Sequence, residues 1–154
     1  MKKALISLLL GVTLVGSLVG CGNNKPNEYL CNKAEEYIRT EFETYTTYFS
    51  ITRKDDVIFI IYNDTEATRV SETVETLGVN LTKECIGWES LINDTIETAK
   101  NEHDKVKQLY NIDVIVKVEV NFDGEKAFVV NSNGEIEYSI LEDKINELNN
   151  QIKF

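Results

Sequence analysis

One histidine is all that this chain of 154 residues offers of the side chain most used for proton transfer near neutral pH. It is His103, set between Glu102 and Asp104, and no serine or cysteine sits in a nucleophile-elbow or cysteine-protease context to pair with it. His103 therefore reads as a solvent-facing position on a long helix. The three cysteines, Cys21, Cys31 and Cys85, are too far apart for a CxxC redox or zinc motif, and one histidine cannot complete a structural zinc site. The eight glycines fall mainly in the first twenty residues, at turns and at a helix end, so no glycine loop is available to cradle phosphate. No cofactor is expected.

Positive charge is also scarce. Lysine and arginine number 16 against 26 aspartates and glutamates, a formal net charge of −10. A basic face for nucleic acid is missing, and the same deficit argues against docking on anionic lipid through the protein surface. Asp55-Asp56 and Asp123-Gly124-Glu125 are dense acidic turns, but neither has the alternating oxygen ligands and distal glutamate of a calcium loop. Both read as hairpin turns. Paired carboxylates for glycoside cleavage could be drawn from so many acids that their presence discriminates nothing. Asn63-Asp64-Thr65, Asn80-Leu81-Thr82 and Asn93-Asp94-Thr95 match the glycosylation pattern and are read as capping chemistry.

What the chain does carry begins at its start. Lys2 and Lys3 give a positive end, Ala4 to Gly20 holds no charge and is dominated by Leu, Ile and Val, and small residues gather before Cys21. The run Leu18-Val19-Gly20-Cys21 resembles the lipobox of bacterial lipoproteins. That resemblance implies a thioether-linked diacylglycerol on Cys21 and cleavage after Gly20. Residues 1–20 are then a signal peptide that is removed, 21–26 the lipidated cysteine and a tether, and 27–154 one globular domain. An uncleaved membrane helix is the competing reading, weakened by Gly11, Gly16 and Gly20. Cleavage removes Lys2 and Lys3 and makes the mature chain two units more negative. The tether Gly22-Asn23-Asn24-Lys25-Pro26 reaches at most about 17 Å when extended. Usage rich in Lys, Asn and Ile points to a low-GC Gram-positive bacterium.

The domain shows two periodicities. Leu30, Ala34, Ile38 and Phe42 recur every four residues and predict a helix over about 27–42. Strands are expected at Tyr45–Thr52 and Val57–Tyr62, the second apolar on both faces and so read as central. Asp64 or Thr65 would cap a short helix bearing Ala67, Val70, Val74 and Leu77, ended by Gly78. Thr82 would open one long helix to about Tyr110, with Cys85, Trp88, Ile92, Ala99 and Val106 on its apolar stripe. The alternation from Val114 to Phe122 then predicts an antiparallel strand. Asp123-Gly124 and Asn133-Gly134 predict tight turns into strands Glu125–Asn131 and Glu135–Ser139, with Phe128, Val130, Ile136 and Tyr138 inward. Ser139-Ile140-Leu141-Glu142 reads as a capping box before a helix carrying Leu141, Ile145, Leu148 and Ile152.

The order α-ββ-αα-βββ-α predicts an α+β fold, a mostly antiparallel sheet of about five strands with helices packed on one face. In element order alone, a long helix feeding a meander is similar to cystatin-like and NTF2-like domains. An exported chain permits a disulfide, and a Cys31–Cys85 bridge is expected, with two buried free thiols as the alternative. The functional candidates are the tyrosines of the N-terminal third, Tyr29, Tyr37, Tyr45 and Tyr48, since tyrosine suits interfaces by pairing an apolar ring with a polar tip. The expected function is a non-enzymatic binding or accessory lipoprotein at the outer face of the cell membrane. It would hold a protein partner of the envelope or a small ligand through the open sheet face or the tyrosine-rich region. The alternatives are a cell-envelope hydrolase using carboxylates and a mobile-element or phage surface factor.

Overall fold

A computed structural model describes residues 26–45 and 47–151. Cys21, the signal segment, most of the tether and Ile152 lie outside the described residues. Among the described residues, five α-helices and a five-stranded mixed, mostly antiparallel sheet form an α+β fold. The sheet is ordered β1 (Phe49–Lys54), β2 (Val57–Asp64), β3 (Ile115–Phe122), β4 (Glu125–Asn131) and β5 (Ile136–Ser139).

Three of the four strand pairings are antiparallel, and β2 with β3 is parallel. Parallel neighbours need a long crossover, which the three helices between them supply: α2 (Val70–Leu77), α3 (Val79–Ile86) and α4 (Trp88–Tyr110). This places β3 at the sheet centre and corrects the reading of the doubly apolar β2 as the central strand. Ile58 and Ile60 of β2 pair in register with Val116 and Val118 of β3, and all four are buried. Phe59 and Ile61 point the other way and are half-buried on the face that, among the described residues, carries no helix.

Helix α1 (Glu28–Glu41) starts at Asn27, whose side chain accepts a hydrogen bond from the Tyr29 amide at 2.9 Å. It buries Cys31, Ala34 and Ile38, packing against β1 and α4. Asp64 caps no helix. Its Oδ1 accepts from the Glu66 and Ala67 amides, an Asx turn that delays α2 until Val70. The single long helix expected from Thr82 is broken at Gly87, whose left-handed backbone (φ 64°, ψ 42°) ends α3 and starts α4. Thr82 lies inside α3, fully buried, with its hydroxyl donating to the Gly78 carbonyl at 2.7 Å.

The meander follows the sequence closely. Asp123 and Gly124 both have positive φ, 45° and 75°, as a two-residue hairpin of matching twist requires. Phe128 and Val130 are fully buried, and Trp88 meets Phe128 edge-on at 5.3 Å. Ile136 is a correction: it is exposed, and Tyr138 only half-buried, because a register shift between Val129 and Val130 displaces this short edge strand. Ser139 does cap α5 (Ile140–Gln151), its Oγ accepting from the Glu142 amide at 3.4 Å.

His103 is not solvent-facing. Its Nδ1 donates to the Val114 carbonyl at 2.7 Å, and its side chain is 19% exposed. The contact ties the last turns of α4 to the segment entering β3.

Candidate functional site

Helix α1 runs antiparallel to α4. Its middle, at Tyr37, meets Tyr110 at the end of α4, with rings 6.4 Å apart, and its last residue Glu41 pairs with Lys105. The helix then stops, while α4 continues backwards to Trp88 over the sheet. The corner of the sheet beyond Glu41, where Phe49 of β1 pairs with Tyr62 of β2, consequently has α4 on one side and, among the described residues, no second helix above it.

Aromatic side chains fill part of that corner. Phe42 lies 4.9 Å from Phe49, Phe49 lies 5.1 Å from Tyr62, and Tyr45 and Tyr48 join at 6.4 Å from Phe49 and 6.3 Å from Tyr62. A short 3-10 turn, Glu43–Tyr45, carries the chain across and keeps Tyr45 and Tyr48 exposed. Between this cluster and α4 runs an apolar groove of about 280 Å³, floored by Val118 and Val120 and walled by Phe42, Phe49, Tyr62 and Leu91. Thr95 and Thr98 complete the α4 wall, their hydroxyls donating to the Leu91 and Asp94 carbonyls one turn back. Asp94 stands at the groove with its carboxylate exposed. Tyr62 donates from its hydroxyl to Asp64 at 3.3 Å, and burial, followed by the Asp64 charge, raises its pKa.

The Phe42–Phe49 pair separates this groove from a second hollow of about 370 Å³ along the outer edge of β1. Glu36, Arg39, Glu43 and Ser50 line that hollow. Arg39 donates to the Ile51 carbonyl at 2.9 Å and to Glu35 at 2.6 Å, covering an edge that would otherwise offer an unpaired backbone group. Glu36 is held below the ordinary carboxylate range by a hydrogen bond from Lys33, the wrong direction for a general acid.

Of the four candidate tyrosines, none lines the groove itself, and Tyr45 and Tyr48 pack on Phe49 and Tyr62 of its wall. Tyr29 stands exposed on the first turn of α1, and Tyr37 is occupied in packing on Tyr110. Tyr62, Leu91, Asp94, Thr95 and Thr98 were missed. The one signal for them is that Leu91, Asp94, Thr95 and Thr98 share a helix face at three- and four-residue spacing, beside the main apolar stripe.

The expected Cys31–Cys85 disulfide is corrected: both thiols are free. Cys31 is buried where α1 packs on β1 and α4, whereas Cys85 is exposed on α3, which packs with α2, α4 and α5. Burial pushes the Cys31 thiol up, with the nearby Arg53 charge opposing. Among the described residues, no group of three or more His, Cys, Asp or Glu side chains is arranged to hold a metal ion.

The helix-free face of the sheet is polar at its centre. Glu137 accepts from Lys117 at 2.6 Å and from Asn131 at 2.9 Å, and Lys126 pairs with Glu119. Burial works to raise the Glu137 pKa, but the two hydrogen bonds and the Lys117 charge outweigh it and hold the carboxyl below its ordinary value. A depressed folded pKa stabilises the fold above the unfolded value of about 4.3, and that contribution is lost as pH falls through the folded value. Glu137→Gln is therefore expected to unfold less steeply than wild type between about pH 5 and 3 in urea titrations. The difference near neutrality is below about 1 kcal/mol, since solvent screens this partly exposed group. Parallel acid-unfolding curves would overturn the assignment.

No protein-family profile, curated protein or solved structure matches the chain.

Proposed function

We propose that this chain is an extracytoplasmic lipoprotein, held at the cell membrane by a diacylglyceryl group on Cys21, and that it serves as a non-enzymatic binding module for an envelope protein. The observation that carries this reading is the apolar groove left uncovered where α1 stops short of α4. An apolar recess with exposed tyrosines packed behind its wall is a common recognition surface, since burying the recess stabilises a complex while the tyrosine tips accommodate polar groups.

Geometry favours a partner other than the bilayer. The tether enters at Pro26, beside Asp55 and Asp56 at the base of α1. The groove lies at the opposite end of that 14-residue helix, about 20 Å away at 1.5 Å per residue. With a tether of about 17 Å, the base of α1 stays near the lipid and the groove can stand up to about 20 Å farther out. The volume of about 280 Å³ also lies at the lower edge of small-ligand sites, roughly 300–1,000 Å³, and suits one or two anchoring side chains.

The test is site-specific photocrosslinking in cells. A photoreactive residue at Tyr45 is expected to yield one dominant adduct that disappears when Leu91→Lys is introduced. The same probe at Glu84, exposed on α3, should not yield that adduct. Equal adducts from both positions, insensitive to Leu91→Lys, would remove the groove as the binding site.

A further inference from the structure

We infer that the occupant of the groove is a peptide segment in which an apolar anchor side chain stands next to lysine or arginine. The inference rests on the binding-module reading above and adds the sign of charge the site selects. Asp94 lies on the groove wall, and Glu43 lines the adjoining hollow, which shares Phe42 and Phe49 with the groove. Among the described residues neither carboxylate has a cation within ion-pair distance. The acids around α1 are matched instead: Glu35 with Arg39, Glu36 with Lys33 and Glu41 with Lys105. Among the described residues lining the groove and the adjoining hollow, the one cation is Arg39, which is engaged by Glu35 and by the Ile51 carbonyl. Both carboxylates beside the apolar recess are therefore left to meet a cation brought by the occupant.

The division of labour follows from magnitudes. Burying the anchor against Val118, Val120, Phe49 and Leu91 supplies affinity in proportion to apolar area. The exposed carboxylates add little attraction at close range, but they steer encounter and reject like charge. A net charge of −10 on the whole chain extends that rejection to acidic partners and to a second copy of the chain. In this groove an acidic or neutral segment loses the steering term, while a basic one gains it.

A random dodecapeptide library displayed on phage, selected on the full lipidated chain in neutral phosphatidylcholine nanodiscs, tests this. Binders are depleted in parallel on nanodiscs carrying the uncharged Leu91→Gln. Peptides that survive on wild type and are lost on Leu91→Gln are expected to place Lys or Arg within two residues of an aromatic or branched aliphatic side chain. The best of them, made synthetically, should bind at least tenfold more weakly to Asp94→Lys and progressively more weakly as salt is raised. Groove-dependent peptides without basic enrichment, or with unchanged affinity for Asp94→Lys, would overturn the charge inference and leave the binding-module reading standing. Peptides that bind wild type and Leu91→Gln alike, or no enrichment at all, would overturn both.

Discussion

Phe128→Ala is expected to remove about 3–5 kcal/mol of stability. Phe128 is fully buried on β4, pairs in register with Val120 of β3 and Ser139 of β5, and meets Trp88 of α4 edge-on. Truncation therefore opens a cavity where three strands and the first turn of α4 meet. Against a total stability of about 5–15 kcal/mol, the loss leaves the fold marginal. For a domain of this size the melting temperature should fall by roughly 10–20 °C. The control is Phe59→Ala on the helix-free face, where the ring is half-buried under Lys117 and truncation should cost less than half as much. Urea unfolding followed by circular dichroism compares the two. A Phe128→Ala loss no larger than that of Phe59→Ala would contradict the placement of the core on the helix side.

The elements that sequence located well are those whose boundaries are set by local chemistry. Asp123-Gly124 needs two positive φ angles in succession, so β3 and β4 are legible to within a residue. Asn27 and Ser139 accept from backbone amides at helix starts, and α1 and α5 begin there. Pairing direction is not local. The alternation of Val116, Val118 and Val120 says that one face is buried, but not whether the neighbour runs with or against the strand. About fifty residues separate β2 from β3, and only packing of the three intervening helices makes that pairing parallel. Gly87 shows the same limit from the other side: glycine in a first turn and glycine between two helices differ in one backbone conformation, which composition does not reveal.

The candidate site was half legible for a related reason. The tyrosines of the N-terminal third, Tyr45 and Tyr48 among them, mark a surface in sequence. What makes it a groove is an absence, the end of α1 at Glu41 while α4 extends beyond it, and that depends on how two helices align. Tyr62 and Leu91 enter through the same alignment. The Cys31–Cys85 expectation failed because a shared helical pattern does not bring two helices together. His103 failed because its hydrogen bond is to Val114, on a segment whose path depends on the turn at Asn111.

Cys21→Ala should produce the clearest change in cells. The lipoprotein reading requires wild type to lose residues 1–20 and to carry acyl groups on Cys21. The variant, lacking the thiol, should keep Met1–Gly20 and carry no lipid. Intact-mass measurement and peptide mapping of membrane-extracted protein distinguish the two directly. The physical stake is the nature of the attachment. One acyl chain gives only marginal membrane affinity, near 10⁴ M⁻¹, whereas two chains at about 0.8 kcal/mol per methylene hold a protein stably. An uncleaved apolar segment from Ala4 to Gly20 would hold it as well, but by a helix at the short limit for spanning a bilayer. The two attachments place the domain differently. A lipidated Cys21 leaves only the short tether between bilayer and Pro26, and so supports a groove held about 20 Å beyond the base of α1. If wild type instead retains Met1–Gly20 and has the same unlipidated mass pattern as Cys21→Ala, the lipid anchor is wrong and the lipobox resemblance is fortuitous.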